Sequence, residues 1–234
     1  MHPKSVATAS VKKSFSRRAE IIILMGAVII MLGIVPAQAT LTLQSGLVGG
    51  SGDVDNVVYN PCGTSAGPST TVQGCLNTDD SILVNFSSNE NLLISGGGQA
   101  VINAQDGSFN RVTIALNDPI LGFSKLQFNL DVSADSTASF VAVDQFGTVF
   151  NFGPLGLNGE GENFFTLGSI DGQVAVSFTV TTTAEIQSLT GLEQVRLGPT
   201  EIDETLPQIP EPTSLLLLGA GLVALRIFRR RNCA

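Results

Sequence analysis

Histidine is almost absent from this 234-residue chain, because the one histidine is His2. If the first residues are removed as an export signal, the mature chain has none. This excludes a Ser-His or Cys-His nucleophilic pair, a histidine general base and a His-ligated zinc or iron site. Tryptophan is missing too, and Tyr59 is the only tyrosine, so a sugar-cleaving cleft would have few aromatic platforms.

Basic residues are scarce between residues 40 and 209, where Arg111, Lys125 and Arg196 stand against 18 acidic residues. The formal charge of this region is therefore −15. We expect no nucleic acid partner, since binding to phosphates needs clustered lysine and arginine. Acidic polysaccharide and anionic lipid are repelled as well, unless divalent cations intervene.

Long apolar runs are confined to the two ends. The first 39 residues combine a basic region, an apolar stretch from Ile21 to Val35 and the small-residue box Ala37-Gln38-Ala39. This order predicts a signal peptide over residues 1–39, cut after Ala39, with Ala37 and Ala39 read at the cleavage site. The alternative is an uncleaved anchor.

The C-terminal end begins with Pro210-Glu211-Pro212, which can neither continue a helix nor pair inside a sheet. From Thr213 to Leu225, 13 residues carry no charge. As a helix they reach about 20 Å, against a hydrocarbon core of roughly 30 Å. We predict a short transmembrane segment over about 213–228. Its end carries four arginines, which are Arg226, Arg229, Arg230 and Arg231.

This combination of Pro-Glu-Pro, a short Leu/Gly/Ala-rich segment and a terminal arginine cluster resembles the PEP-CTERM sorting signal of Gram-negative bacteria that make exopolysaccharide. The motif is also catalogued under the label "ice-binding protein C-terminal". The resemblance covers roughly residues 208–231 and implies recognition by an exosortase, a membrane protease that removes the tail. The alternatives are an ordinary membrane anchor and a buried core helix.

The positive charges of both ends lie on the side expected to stay in the cytoplasm, so the middle of the chain must cross the membrane. We predict a domain over residues 40–199 and an acidic linker over 200–209, followed by the sorting signal over 210–234. About 170 residues are enough for one domain with its own core.

The exported region shows short stretches rich in Val, Ile, Thr and Phe, broken every 8–12 residues by Gly, Asn, Asp or Pro, and no helical period. This predicts an all-β domain, and so many half-buried strands favour a β-sandwich. Candidate strands are Leu41–Val48, Val54–Tyr59, Ser81–Phe86, Asn91–Ile94, Ala100–Ala104, Arg111–Leu116, Ser124–Val132, Thr137–Asp144, Thr148–Phe152, Asn163–Leu167, Gln173–Val180 and Gln194–Leu197.

Alternation within these strands predicts which faces are buried. In Leu126–Val132 apolar residues take every second place, so one face is buried and one is wet. Residues 124–132, 137–144 and 148–152 are expected to form a meander. In the strand after Gln173, we expect Val174, Val176, Phe178 and Val180 to face inward. Near the end, Val195 and Leu197 face the core and Arg196 points out. The segment around them resembles, weakly, the last strand of domains in the same sorting class.

Cys62 and Cys75 enclose a polar loop rich in Gly, Pro, Ser and Thr. In an oxidising compartment we predict a disulfide between them, worth about 3 kcal/mol by loop entropy. The alternative is a pair of free thiols. Cys233 lies beyond the arginines, on the reducing side.

Carboxylates are the reactive groups that remain. A sugar hydrolase needs two of them at a fixed separation, and the close pairs are Asp53 with Asp55, Asp79 with Asp80, and Glu160 with Glu162. The acidic residues also suggest a structural calcium site, with candidate ligands Asp53, Asp55 and Asp106. Neither residues 50–56 nor residues 103–107, in which these ligands lie, match the twelve-residue EF-hand loop. The alternative for each is a solvated turn residue.

These observations lead to one main hypothesis and two rivals. We expect a non-enzymatic protein of the cell surface or extracellular matrix, without a cofactor, sorted by an exosortase-like protease and associated with exopolysaccharide and biofilm. Its precursor is attached to the membrane by the C-terminal segment, and the processed form reaches the outer membrane, surface or matrix. The first rival is a secreted glycan- or calcium-binding module. The second is a carboxylate-based hydrolase.

Overall fold

The computed structural model describes residues 40–203, apart from 51, 60–61, 63–64, 171 and 188–190. These residues lie within one compact unit, Ala39–Ile209. The predicted signal peptide, most of the linker and the sorting signal lie outside the described residues. Within the described part there is no helix long and apolar enough to cross a membrane.

Regular structure in the described residues consists of β-strands, which confirms the all-β prediction. Along the chain they are β1 (Thr40–Ser45), β2 (Asp55–Val58), β3 (Ser69–Leu76), β4 (Leu83–Ser95), β5 (Val101–Ala104), β6 (Ser108–Leu116), β7 (Leu121–Leu130), β8 (Ser136–Asp144), β9 (Val149–Leu157), β10 (Asn163–Ile170), β11 (Ala175–Gln187) and β12 (Leu192–Glu201).

Hydrogen bonds link these strands into one sheet in the order β1-β10-β7-β12-β2-β3-β4-β6-β11-β8-β9, with β5 joining β12 and β4. The path also closes on itself, because Ala175 of β11 pairs with Phe123 of β7. A division into two separate sheets, as in a sandwich, is therefore not confirmed. The named pairs are antiparallel, which suits a chain whose connections are short turns.

Four phenylalanines fill the centre of the core, and each comes from a different strand. Phe128 of β7 lies 5.6 Å from Phe165 of β10, 5.5 Å from Phe178 of β11 and 6.3 Å from Phe140 of β8, measured between ring centroids. All four are at most 2% exposed. Burying each ring stabilises the fold by about 1.5–3 kcal/mol, and each well-placed pair adds about 0.5–1.5 kcal/mol. The cluster packs the β10–β7 part of the sheet against the β11–β8 part.

One strand, β3, was not predicted from the sequence. Residues Ser69–Leu76, expected within a polar loop, form β3, where Val72, Cys75 and Leu76 are buried. Their β-branched and apolar positions were hidden among Ser, Thr and Gly. Two predicted strands, Ser81–Phe86 and Asn91–Ile94, are instead one continuous strand, β4, because the polar run between them continues along the sheet.

The predicted meander is only half right. β8 pairs with β9, but its other neighbour is β11, and β7 does not pair with it. The reason is that a strand has two edges, and those of β7 are occupied mainly by β10 and β12. Strand β12 also runs to Glu201, so the first residues of the range predicted as a linker belong to the sheet.

The inward residues of β11 and β12 follow the prediction with one exception. Val174, Phe178 and Val180 are buried, whereas Val176 is only half-buried. The register of β11 against β8 shifts between Ala175 and Ser177, and such a shift reverses which side chains face the core. In β12, Val195 and Leu197 are buried and the half-buried Arg196 points away, as predicted.

The central phenylalanine gives the first prediction. Replacing Phe128 by Ala is expected to lower the free energy of unfolding by about 3–5 kcal/mol, because it empties the space between three other rings. The matched control is Phe146→Ala, at a ring that is 40% exposed, and it should cost less than about 1 kcal/mol. Urea unfolding followed by circular dichroism measures both. Similar losses for the two variants would show that the cluster is not the centre of the core.

Candidate functional site

The second face of β7 is buried too, although its alternation predicts a wet face. Lys125, Gln127 and Asn129 are 8%, 1% and 1% exposed, so the prediction that Gln127 and Asn129 face water is wrong. The segment between β1 and β2 lies over Lys125 and Gln127 and binds both through its backbone carbonyls. Polar groups are tolerated at such positions because they are hydrogen-bonded there.

Lys125 is the centre of these contacts. Its Nζ donates to the carbonyl oxygens of Gly49 at 3.1 Å and Gly50 at 2.9 Å, and to Asp53 Oδ1 at 2.9 Å. An ammonium group has three donors, and here all three are used. We call Lys125 with its three partners the lysine clamp. These hydrogen bonds give Lys125 a structural explanation in the fold.

Asp53 is the charged partner in the clamp, and its side chain is 62% exposed, against 11% for Lys125. The hydrogen bond from Lys125 lowers the pKa of Asp53 below its usual value. The folded state therefore stabilises the ionised form of Asp53 relative to its protonated form. The contribution to stability is present above the unfolded pKa of Asp53, and it is lost as the pH falls through the lower, folded pKa.

Neighbouring side chains extend the contact along the same segment. Gln127 Nε2 donates to the Val48 carbonyl at 3.1 Å. Thr166 of β10 donates through Oγ1 to the Gly46 carbonyl at 2.7 Å and accepts from the Val48 amide at 3.1 Å. Gly46, with φ of 92°, adopts a conformation that favours glycine. Its carbonyl can therefore reach Thr166.

Close packing of β12 against the segment after β1 also requires a glycine. A Cβ atom at Gly198 of β12 would lie 2.6 Å from the Asp53 carbonyl oxygen. Any side chain there would push Asp53 away from Lys125. The lysine clamp thus depends on β7, on β12 and on the segment after β1.

The other end of the polar face contacts the turn before β10. Asn129 Nδ2 donates to Glu193 Oε1 at 3.0 Å, and Asn129 Oδ1 accepts from the Asn163 amide at 2.8 Å. The Asn163 side chain in turn donates to the carbonyls of Leu130, Asn158 and Gly161. These contacts close the chain around β7 at both ends.

The candidate metal ligands do not form a cluster. Asp53 is paired with Lys125, Asp55 opens β2 opposite Leu197, and Asp106 is exposed in the turn between β5 and β6. In the part of the chain that the structure describes, no three His, Cys, Asp or Glu side chains are close enough to hold a metal ion. A structural calcium bound by these residues stays a prediction.

Of the carboxylate pairs, one is explained by its own turn. Asp79 Oδ1 accepts from the Ser81 amide at 3.0 Å and from the Ser81 hydroxyl at 2.6 Å. These hydrogen bonds lower the pKa of Asp79. Asp79 therefore shapes the connection between β3 and β4, as a turn residue does.

The two exported cysteines form a disulfide in the structure. Cys62 and Cys75 are bonded, with their Cα atoms 5.7 Å apart. Cys75 is fully buried near the end of β3. The bond therefore attaches the segment before β3 to the sheet.

Among the open depressions on the described surface are two of different size. The larger, about 640 Å³, is lined by eight residues that include Asp118, Gln145, Phe146 and Ile202. The smaller, about 250 Å³, is lined by Val54, Asn56, Gln99 and Arg196. The sequence analysis placed Arg196 on the outer face of its strand but did not connect it with Asn56 and Gln99. Both lie far from it in the chain, and only the pairing of β2 with β12 brings Asn56 beside it.

The residues predicted to direct sorting and export lie outside the described residues. They are Ala37 and Ala39 at the front, Pro210, Glu211 and Pro212 in the motif, and Arg226, Arg229, Arg230 and Arg231 in the terminal cluster. Residues 208–231 match the model of the PEP-CTERM protein-sorting motif, as the resemblance implied. No curated protein and no solved structure matches the chain.

The lysine clamp predicts a specific pH dependence. Asp53→Asn removes the ionised carboxylate and is expected to lower the free energy of unfolding at pH 7 by less than about 1 kcal/mol, because Asp53 is exposed. The difference from the wild type should persist down to about pH 5 and shrink below about pH 4. Asp55→Asn, which removes the same charge two residues away, is the control. An unchanged difference at pH 3 would contradict this role of Asp53.

Lys125→Met tests the buried half of the clamp. The variant keeps the length of the side chain but leaves the Gly49 carbonyl without its donor and the Gly50 carbonyl with only the longer contact from Gln127 Nε2, at 3.4 Å. We expect a loss of at least about 2 kcal/mol in the free energy of unfolding, measured in urea, and thus more than for Asp53→Asn. A loss no greater than that of Asp53→Asn would show that the carbonyl contacts contribute nothing.

Proposed function

We propose that this chain is an exported, non-enzymatic protein of the bacterial cell surface or extracellular matrix, delivered by an exosortase-type system and associated with exopolysaccharide. The observation that carries the proposal is the PEP-CTERM protein-sorting motif at residues 208–231. The motif implies processing by such a system and an exported, membrane-associated precursor.

The charge distribution supports the export of the middle of the chain. Nine of the 12 basic residues lie in the first 18 and last nine positions, while residues 40–209 carry a formal charge of −15. Positive charge near membrane spans is retained on the cytoplasmic side, and the basic residues of this chain are concentrated at its two ends. The Cys62–Cys75 disulfide fits an oxidising compartment outside the cytoplasm.

The contacts of reactive side chains support a non-enzymatic role. Lys125, the lysine of the exported region, uses its donors to hold the segment after β1. The carboxylate of Asp53 binds that lysine, and the carboxylate of Asp79 binds its own turn. Each of these groups has a structural explanation within the fold.

Glu211→Ala in the full chain tests the sorting step. Recognition of Pro210-Glu211-Pro212 is expected to be lost while export continues, so a longer form accumulates in the membrane fraction. An epitope tag after Ala234 should disappear from the processed wild-type protein and remain on the variant, as measured by immunoblotting of cell fractions.

The matched control is Glu201→Ala, which removes the same charge from the end of β12, ten residues before Glu211. It should be processed like the wild type. If the wild-type protein keeps its tag at steady state and Glu211→Ala behaves identically, the segment is an ordinary membrane anchor and the proposal is wrong.

A further inference from the structure

Arg196 has an arrangement that the fold does not require. Its Nε donates to Asn56 Oδ1 at 3.1 Å, and the side-chain amide of Gln99 donates to the same oxygen. Arg196 and Asn56 are paired residues of β12 and β2, and Gln99 is bridged to Val58 of β2. One amide oxygen therefore fixes the orientation of both the guanidinium and the Gln99 side chain.

The outer nitrogens of this guanidinium have no hydrogen-bond acceptor among the residues that the structure describes. Among the described residues, no side chain accepts a hydrogen bond from the two Nη atoms, and no carboxylate lies within 4 Å of them. The region as a whole is rich in acid, since residues 40–209 contain 18 carboxylates and only three basic side chains. An oriented, half-buried arginine without an acidic partner in such a chain indicates that its partner comes from outside.

The space in front of Arg196 is a pocket of about 250 Å³, lined by Val54, Asn56, Gln99 and Arg196. Sites for drug-sized ligands measure about 300–1,000 Å³, so this one suits a single small ring. We propose that the pocket binds one sugar-acid residue, with the carboxylate of the sugar on the Arg196 guanidinium.

The polar groups of the pocket match both the carboxylate and the hydroxyl groups of a sugar acid. A guanidinium offers parallel N–H groups that match the two oxygens of a carboxylate. Asn56 Nδ2 and Gln99 Oε1 make no hydrogen bond to a described residue, so the pocket also offers one neutral donor and one neutral acceptor. Hydroxyl groups satisfy both. Val54 provides an apolar surface for the C–H face of a ring.

The strong negative charge of the exported region limits the size of the acidic ligand that can bind. Long polyanions are repelled at low ionic strength, but beyond about 8 Å that repulsion is screened at physiological salt. Contact with Arg196 acts over about 3 Å and is affected far less. The pocket therefore takes one acidic unit by direct contact. This inference concerns residues 40–203 and does not rest on the sorting proposal.

Calorimetric titration of the full-length protein in mild detergent, with glucuronate as the probe, tests it. We expect saturable binding with a dissociation constant of about 1 mM, and binding at least about tenfold weaker for glucose, which lacks the carboxylate, and for acetate, which lacks the hydroxyls. No saturable binding of glucuronate, or acetate binding as tightly as glucuronate, would overturn the proposal.

Variants locate the site. Arg196→Gln is expected to weaken glucuronate binding at least about tenfold, because the charged fork is lost. Arg111→Gln removes the same charge from β6, and it should bind like the wild type. Unchanged binding by Arg196→Gln would exclude the pocket.

A further variant covers the case in which Arg196→Gln does not fold, judged by its circular dichroism. Gln99→Ala keeps the arginine and removes the neutral acceptor. It should weaken binding of glucuronate severalfold and leave the weak binding of acetate unchanged. Equal effects on glucuronate and acetate, or no effect on glucuronate, would contradict the proposed contacts.

Discussion

Packing around Phe128 is the interaction on which the rest of the structure depends. Its ring lies within 6.3 Å of three others, from β8, β10 and β11. Strands β10 and β11 follow β7 in the chain only after β8 and β9, so local turns do not bring their rings to Phe128. The sheet can close on itself because the space it encloses is filled by these rings. The phenylalanine rings hold β7, which lies between β10 and β12, against β8 and β11 on the other side of the core.

The same strand is held on its second face by polar contacts. Lys125, Gln127 and Thr166 bind carbonyl groups of the segment after β1, so that this segment covers the outer face of the sheet. The polar side chains are buried without a large penalty because most of their donors are used. One acceptor, Gln127 Oε1, is buried without a partner, which is the cost of packing the segment closely. Strand β7 is therefore packed on both faces and contacts several other parts of the unit.

Two cationic side chains of the exported region have opposite roles. Lys125 is surrounded by three acceptors of its own chain, whereas Arg196 has one, and that one orients it toward an open pocket. In the two proposals, the C-terminal motif directs delivery, and the pocket at Arg196 in the folded unit binds the ligand. The two parts would then act in sequence, since the tail is needed only until the protein has been exported and processed.

The sequence alone determined the all-β class, the disulfide between Cys62 and Cys75, the burial of Val195 and Leu197, and the sorting motif, because each depends on local pattern or spacing. It missed β3, whose polar residues look like a loop, and the order of the strands. It also predicted that Gln127 and Asn129 face water. Alternation along a strand shows which residues share a face but not what covers it. What covers the second face of β7, and what brings Asn56 and Gln99 beside Arg196, is decided by long-range pairing. Only the tertiary structure contains that information, since those contacts join residues whose separation in the chain is set by no local rule.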